Sequence, residues 1–138
     1  MQVSSSKITG IKVVLAVTMA MGLFWGLGNL LFTESMFNAT APAGEKFTNS
    51  AEVLGKIASA FMLAWVVAAG LAFRDVLGNL GLVKAVIIAL GIITAVGFYT
   101  SLFVSERTPA MVWASDVLML VLFVALLALY PREIAKQA

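Results

Sequence analysis

Residues 11–32 form the apolar stretch IKVVLAVTMAMGLFWGLGNLLF, in which Lys12 is the only charged residue. About 20 apolar residues of α-helix cross a hydrocarbon core about 30 Å thick, so this stretch predicts a membrane-spanning helix. It also exceeds the roughly 7–15 apolar residues of a signal-peptide core. We therefore expect a retained span rather than a cleaved leader.

Three further apolar stretches follow at residues 51–73, 83–104 and 110–130. The polar connection at residues 33–50 is long, so we expect an outside loop that holds a short helix or covers the end of the bundle. Strands are excluded, because an open sheet edge cannot persist in hydrocarbon. The sequence predicts an all-α polytopic membrane protein, with one domain over residues 1–138 and four transmembrane helices in a bundle.

The composition supports a membrane protein and excludes several classes of function. Apolar residues make up 62% of the chain, charged residues 12%, and the mean hydropathy is +1.03. Soluble domains are about 45–50% apolar and about 25% charged, so we expect the lipid bilayer as the chain's surroundings. The absence of Cys and His from the sequence excludes thiol and imidazole chemistry. The scattered net charge of +2 predicts no nucleic-acid partner, and we expect no cofactor.

The Lys and Arg residues are distributed unevenly between the two sides of the predicted topology. One side carries Lys7, Lys12, Arg74, Lys84, Arg132 and Lys136, and the other carries Lys46, Lys56 and Arg107. Cytoplasmic loops carry an excess of Lys and Arg. We therefore expect both termini inside (N-in/C-in) and the loop at residues 33–50 outside.

Asp116 is the clearest charge inside a predicted span. It lies seven residues beyond Pro109, or roughly 10 Å from the outer boundary at about 1.5 Å per residue. Charges within spans are rare, and an Asp at mid-helix costs about 2.5–3.5 kcal/mol on insertion scales. Two interpretations are open. Asp116 contacts an ion, a proton or a ligand headgroup, or it is a structural anchor hydrogen-bonded to a neighbouring helix.

Lys56 is the natural partner for that carboxylate, but it has a competitor. Glu52 precedes it by four residues, the favourable order for an ion pair along one helix. The Lys56 side chain can also extend to water at the membrane surface. Because helix rotation is not determined by the sequence, pairing with Glu52 and pairing with Asp116 remain alternatives.

Further polar and aromatic residues share the outer half of the predicted bundle. A small outward-opening ligand pocket would be lined by Asn29, Glu34, Lys56, Tyr99, Trp113 and Asp116. The simpler alternative places Trp113 and Tyr99 in an interfacial aromatic belt and makes Asn29 a hydrogen-bonding group between helices. We predict no catalytic residues and no metal ligands, because no catalytic carboxylate pair, phosphate-binding loop or ligand cluster is recognisable.

Small residues predict close helix packing. Gly22 and Gly26 form a Gly-x-x-x-Gly motif, and four alanines recur at every fourth position of the second span. These alanines are Ala60, Ala64, Ala68 and Ala72. Helices in lipid associate through such faces. The alanine row predicts a seam with another span or with another protomer.

The layout resembles the small bacterial four-helix membrane proteins known as DoxX-like, including the DUF4345 proteins. The resemblance rests on an outside loop after span one, on Glu52 and Gly55 in span two, on the turn at Arg74 and on Asp116 early in span four. Asp116 stands where that pattern has Glu. The resemblance implies a four-helix fold in the bacterial inner membrane, and some members of the wider group resemble subunits of quinone-linked oxidoreductases.

Three functions follow as hypotheses. We prefer a non-enzymatic accessory or assembly subunit of a larger membrane complex, or of a homo-oligomer, because short loops and small-residue faces favour association. The second is a binder or carrier of an amphipathic ligand, a lipid or a quinone, in an outer-leaflet pocket. The third is an oligomeric channel or proton-coupled transporter that uses Asp116.

Overall fold

A computed structural model describes residues 4–42, 44–104 and 109–131. This part of the chain is all-α, with four long helices, one short helix and a π-helical turn that directly continues the third long helix. The elements are α1 (Ser5–Leu31), α2 (Thr33–Thr40), α3 (Asn49–Arg74), α4 (Leu80–Tyr99), the π turn (Thr100–Val104) and α5 (Ala110–Leu129).

The long helices differ from the predicted spans mainly at their ends. The first begins at Ser5 rather than at residue 11, because the Ser4 side chain accepts a hydrogen bond from the backbone N–H of Lys7. The second begins at Asn49, since Thr48 caps it in the same way. The connection at residues 33–50 contains α2. A short helix in this connection was one of the two predicted alternatives.

The long helices pack in the order α1, α3, α4, α5, and α5 returns to contact α1. Contacts near the helix ends show that neighbours are antiparallel. Thr33 lies against Gly55, whereas the Lys12 ammonium lies 5.5 Å from the centre of the Phe73 ring at the other end. We call the end at which α2 lies the α2 end; α1 and α4 finish there, and α3 and α5 begin there.

The Gly-x-x-x-Gly motif forms the contact between α1 and α3. A Cβ atom on Gly22 would lie 2.5 Å from Val66 Cγ2, and one on Gly26 would lie 3.0 Å from Leu63 Cδ2. The alanine row does not form one continuous seam within this chain, because Ala72 is buried while Ala60 and Ala64 are exposed.

The apolar surface of the helices is mostly uncovered. All four are long and apolar enough to cross a membrane, and only 17–33% of their most apolar windows is buried inside the bundle. Large side chains such as Phe61 and Phe103 are 74% and 76% exposed. Contiguous apolar surface of this extent is rare on soluble monomers. The fold therefore indicates a multi-pass membrane protein.

The basic residues divide between the two ends as the connectivity requires. Lys46 and Lys56 belong to the α2 end, and the opposite end carries Lys7, Lys12, Arg74 and Lys84. Three residues of the predicted charge pattern, Arg107, Arg132 and Lys136, lie outside the described residues.

Candidate ligand site

An open pocket lies at the α2 end, where the chain breaks between α1 and α2. The break is at Phe32, whose backbone angles (φ −133°, ψ 44°) are not helical. The pocket has a volume of about 390 Å³. It is lined by Leu30, Leu31, Phe32, Thr33, Glu34, Ser35, Phe47, Glu52 and Lys56. The ends of α1, α2 and α3 therefore meet around one open cavity, and its lining includes both charged and apolar residues.

Lys56 pairs with Glu52 in this pocket. Its ammonium donates to Glu52 Oε1 at 2.5 Å, and the two side chains are 50% and 42% exposed. Among the described residues, no ion pair joins Lys56 to Asp116. Of the two alternatives that the sequence left open, the structure has the pair along one helix. An ammonium group has three N–H donors, so two remain for a ligand or water.

Glu34 lies in the same pocket, in the first turn of α2. Its side chain is exposed and has no ion pair or hydrogen bond within the described part of the chain. Negative charge is favourable at a helix N-terminus, so Glu34 suits its position without a basic partner. Its carboxylate oxygens are therefore accessible to a molecule in the pocket.

Asp116 makes a different kind of contact, between α5 and the π turn. The Ser101 hydroxyl donates to Asp116 Oδ2 at 2.8 Å, and Ser101 is only 7% exposed. Gly97 lies beside the same carboxylate, and a Cβ atom there would overlap Asp116 Oδ1. This hydrogen bond between helices is the contact that the anchor interpretation of Asp116 describes. π-Helical turns are frequent at functional sites. The alternative role of Asp116, contact with an ion, a proton or a ligand headgroup, stays a prediction.

The aromatic residues of the predicted site divide between packing and exposure. Trp113 packs edge-to-face on Phe98, with ring centres 6.0 Å apart, and so belongs to the α4–α5 contact. Tyr99 is 60% exposed, and its ring lies 5.6 Å from that of Phe103 on the outer surface of the bundle. Neither lines the pocket at the α2 end.

Asn29 satisfies part of its hydrogen-bonding capacity within its own helix. Its Nδ2 donates to the Trp25 carbonyl at 2.8 Å, and its backbone carbonyl accepts from the Thr33 hydroxyl at 2.6 Å. Its Oδ1 faces Gly55 on α3, 3.9 Å from the position of a Cβ atom there. Asn29 therefore lies between α1 and α3, close to the pocket but not in its lining.

Of the six residues predicted to share one pocket, the structure brings Glu34 and Lys56 together in it. The predicted site did not include Ser35, Phe47 or the apolar end of α1. Ser35 and Phe47 belong to the polar stretch that follows Phe32. No periodic pattern in that stretch predicts that it folds back onto α3. Gly97 and Ser101, which contact Asp116, are four residues apart and therefore share a face of the helix.

Comparison with known proteins finds no matching family model, no matching curated protein and no matching solved structure. The resemblance to DoxX-like proteins therefore stays a prediction from the layout of the sequence.

Proposed function

We propose that this chain is a non-enzymatic multi-pass membrane protein that binds an amphipathic ligand, a lipid or a quinone, in the pocket at the α2 end. The observation that carries the proposal is that charged and apolar residues line the same open pocket. Glu34, Glu52 and Lys56 provide charge, while Leu31 and Phe32 are 65% and 64% exposed beside them. Ligand pockets measure about 300–1,000 Å³, and this one has about 390 Å³. Such a lining suits a molecule with a polar head and an apolar tail.

The proposal includes an orientation with both termini in the cytoplasm and the pocket at the outer surface of the membrane, the bacterial inner membrane. The excess of Lys and Arg at the end opposite α2 supports this orientation. Glu34, Glu45 and Glu52 belong to the α2 end, so the acidic residues there have the opposite bias.

Filling the pocket tests the proposed function. Ser35→Trp places a large ring in the lining, and Asn38→Trp places the same ring on an exposed position of α2 outside it. Native mass spectrometry of gently purified protein should show a lipid or quinone adduct in the wild type and in Asn38→Trp. The adduct should be lost from Ser35→Trp. An adduct that is absent from the wild type, or equal in both variants, would contradict the proposal.

The orientation has its own test, because the chain contains no cysteine. Ser35→Cys should react with a membrane-impermeant maleimide in intact cells. Ser5→Cys, at the start of α1, should react only after the cells are permeabilised. Labelling in the reverse pattern would show that the pocket faces the cytoplasm.

The exposed alanines of α3 favour a second candidate function, the accessory or assembly subunit of a membrane complex or homo-oligomer. Ala60 and Ala64 are one helical turn apart and uncovered, and small residues let lipid-embedded helices approach closely. Ala64→Leu should then reduce the size of the complex on native gels in mild detergent, whereas Ala95→Leu, on the exposed surface of α4, should not. Equal migration of both variants and the wild type would reject this candidate. The channel or transporter stays a prediction from Asp116 alone.

A further inference from the structure

The pocket at the α2 end carries charges of both signs. Its two carboxylates, Glu34 and Glu52, and its one ammonium, Lys56, give a net charge of −1. A ligand headgroup with net negative charge is repelled by such a lining, and an uncharged headgroup makes no ion pair with the accessible Glu34 carboxylate. A headgroup that itself contains both signs complements the lining best.

Lys56 is positioned to hold the negative part of such a headgroup. Its ion pair with Glu52 uses one N–H and keeps the ammonium at the pocket wall, and the remaining donors suit a phosphate oxygen. The first turn of α2 adds to this, because the N-cap residue Phe32 supplies no side-chain acceptor to its backbone N–H groups. The phosphate position is defined by the Lys56 ammonium and the pocket that it lines, and not by the start of α2 alone.

Glu34 is positioned to hold the positive part. Its exposed carboxylate lines the pocket and has no ion pair or hydrogen bond within the described ranges. A primary ammonium can donate N–H hydrogen bonds to it, whereas a quaternary ammonium has no N–H. The carboxylate therefore distinguishes an ethanolamine headgroup from a choline headgroup of the same net charge.

Exposed apolar residues continue along α1 from the lining residue Leu31 into the depth proposed for the membrane. Leu23, Leu27 and Leu31 follow one another at intervals of four residues and are 42%, 43% and 65% exposed. Residues at this spacing share one helix face, so they form an apolar stripe that leads away from the pocket. An acyl chain can lie along this stripe while its headgroup occupies the charged end.

We propose that the pocket at the α2 end binds a zwitterionic phospholipid with a primary ammonium, of the phosphatidylethanolamine class. Lys56 takes the phosphate, Glu34 takes the ammonium, and the stripe of Leu23, Leu27 and Leu31 takes an acyl chain. The inference rests on the proposed function, since it names the ligand class of the same pocket.

Native mass spectrometry of the full chain with added dioleoyl lipids tests it. Phosphatidylethanolamine should be retained about tenfold more than phosphatidylcholine, as expected for one charge-assisted hydrogen bond, and phosphatidylglycerol should be retained least. Glu34→Gln should remove the preference for ethanolamine over choline, while Glu34→Asp keeps it. Glu45→Gln, the same change on an exposed loop residue outside the pocket, should leave the preference unchanged. Water-soluble phosphoethanolamine should not displace the lipid, because it lacks the acyl chain.

The outcomes separate this inference from the proposed function on which it rests. Adducts that Ser35→Trp removes, but that show no preference for ethanolamine or prefer phosphatidylglycerol or ubiquinone, would overturn the headgroup class and leave the ligand pocket standing. A preference that survives Glu34→Gln would likewise overturn the role of Glu34. Displacement by phosphoethanolamine would reject a lipid as the ligand. No adduct sensitive to Ser35→Trp with any of the lipids would overturn both proposals.

Discussion

The two helix pairs of the bundle use charge in opposite ways near the α2 end. In the α1–α3 pair, Lys56 and Glu52 are about half exposed and bond to each other along one helix, at the edge of an open pocket. In the α4–α5 pair, Asp116 is partly buried and accepts a hydrogen bond from Ser101 on the neighbouring helix. The first arrangement leaves charged groups accessible to a ligand, and the second uses a carboxylate to join two helices. Position near the same end of the bundle therefore does not make these residues one site.

The largest effect is expected at the packing that supports the pocket. Gly22→Leu should lower the free energy of unfolding by about 1–3 kcal/mol, because its Cβ would lie 2.5 Å from Val66 Cγ2 between α1 and α3. Ligand retention should fall with it. Thermal unfolding in detergent measures the loss. Gly81→Leu is the matched control, since no atom lies within 4 Å of a Cβ there. Equal unfolding temperatures for the two variants would show that the glycine contact does not hold α1 to α3.

A smaller effect is expected where Asp116 joins α5 to the π turn. Asp116→Ala removes the acceptor of the Ser101 hydroxyl bond and should lower the free energy of unfolding by about 1 kcal/mol. Asp116→Asn should lower it less, because its amide oxygen still accepts a hydrogen bond. If the alanine variant is as stable as the wild type, Asp116 is not a packing anchor.

A double-mutant cycle with Gly97→Ala and Asp116→Ala tests the contact between Gly97 and Asp116. In the wild type, the new Cβ would overlap Asp116 Oδ1, which offsets the helix propensity gained over glycine. In Asp116→Ala the overlap is gone and the gain remains. We expect a coupling energy of about 1 kcal/mol between the two substitutions, measured from four unfolding curves. Additive effects would mean that Gly97 and Asp116 are not in contact.

The smallest effect on stability is expected in the pocket itself. Lys56→Gln breaks an exposed ion pair along one helix, so it should cost less than about 0.5 kcal/mol. Ligand retention should nevertheless decrease several-fold, because the phosphate loses its cation. Lys46→Gln, an exposed lysine outside the pocket lining, should change neither quantity. A large stability loss without loss of ligand would reverse the contrast between the two helix pairs.

Hydropathy predicted the all-α fold and its four long helices, since each apolar stretch has to match the thickness of a bilayer. Hydropathy did not predict that α1 begins at Ser5 and α3 at Asn49, because the polar residues at these helix starts do not belong to the apolar stretches. The lining of the pocket was only partly predictable. Whether Lys56 pairs with Glu52 or with Asp116 depends on helix rotation, which the sequence does not determine. No periodic pattern predicts that residues 33–48 pack against α3. The π turn (Thr100–Val104), which carries Ser101, was not predicted, because no pattern in the sequence marks it.

The proposed pocket at the α2 end should bind its ligand without Asp116, which lies outside its lining. The most direct measurement is native mass spectrometry of the retained adduct in three proteins, namely the wild type, Asp116→Asn and Ser35→Trp, each first checked for folding by gel filtration. We expect the wild type and Asp116→Asn to carry the same adduct at equal occupancy and Ser35→Trp to carry none. Loss of the adduct from Asp116→Asn to the same extent as from Ser35→Trp would contradict the account, because it would show that the two charged regions form one site.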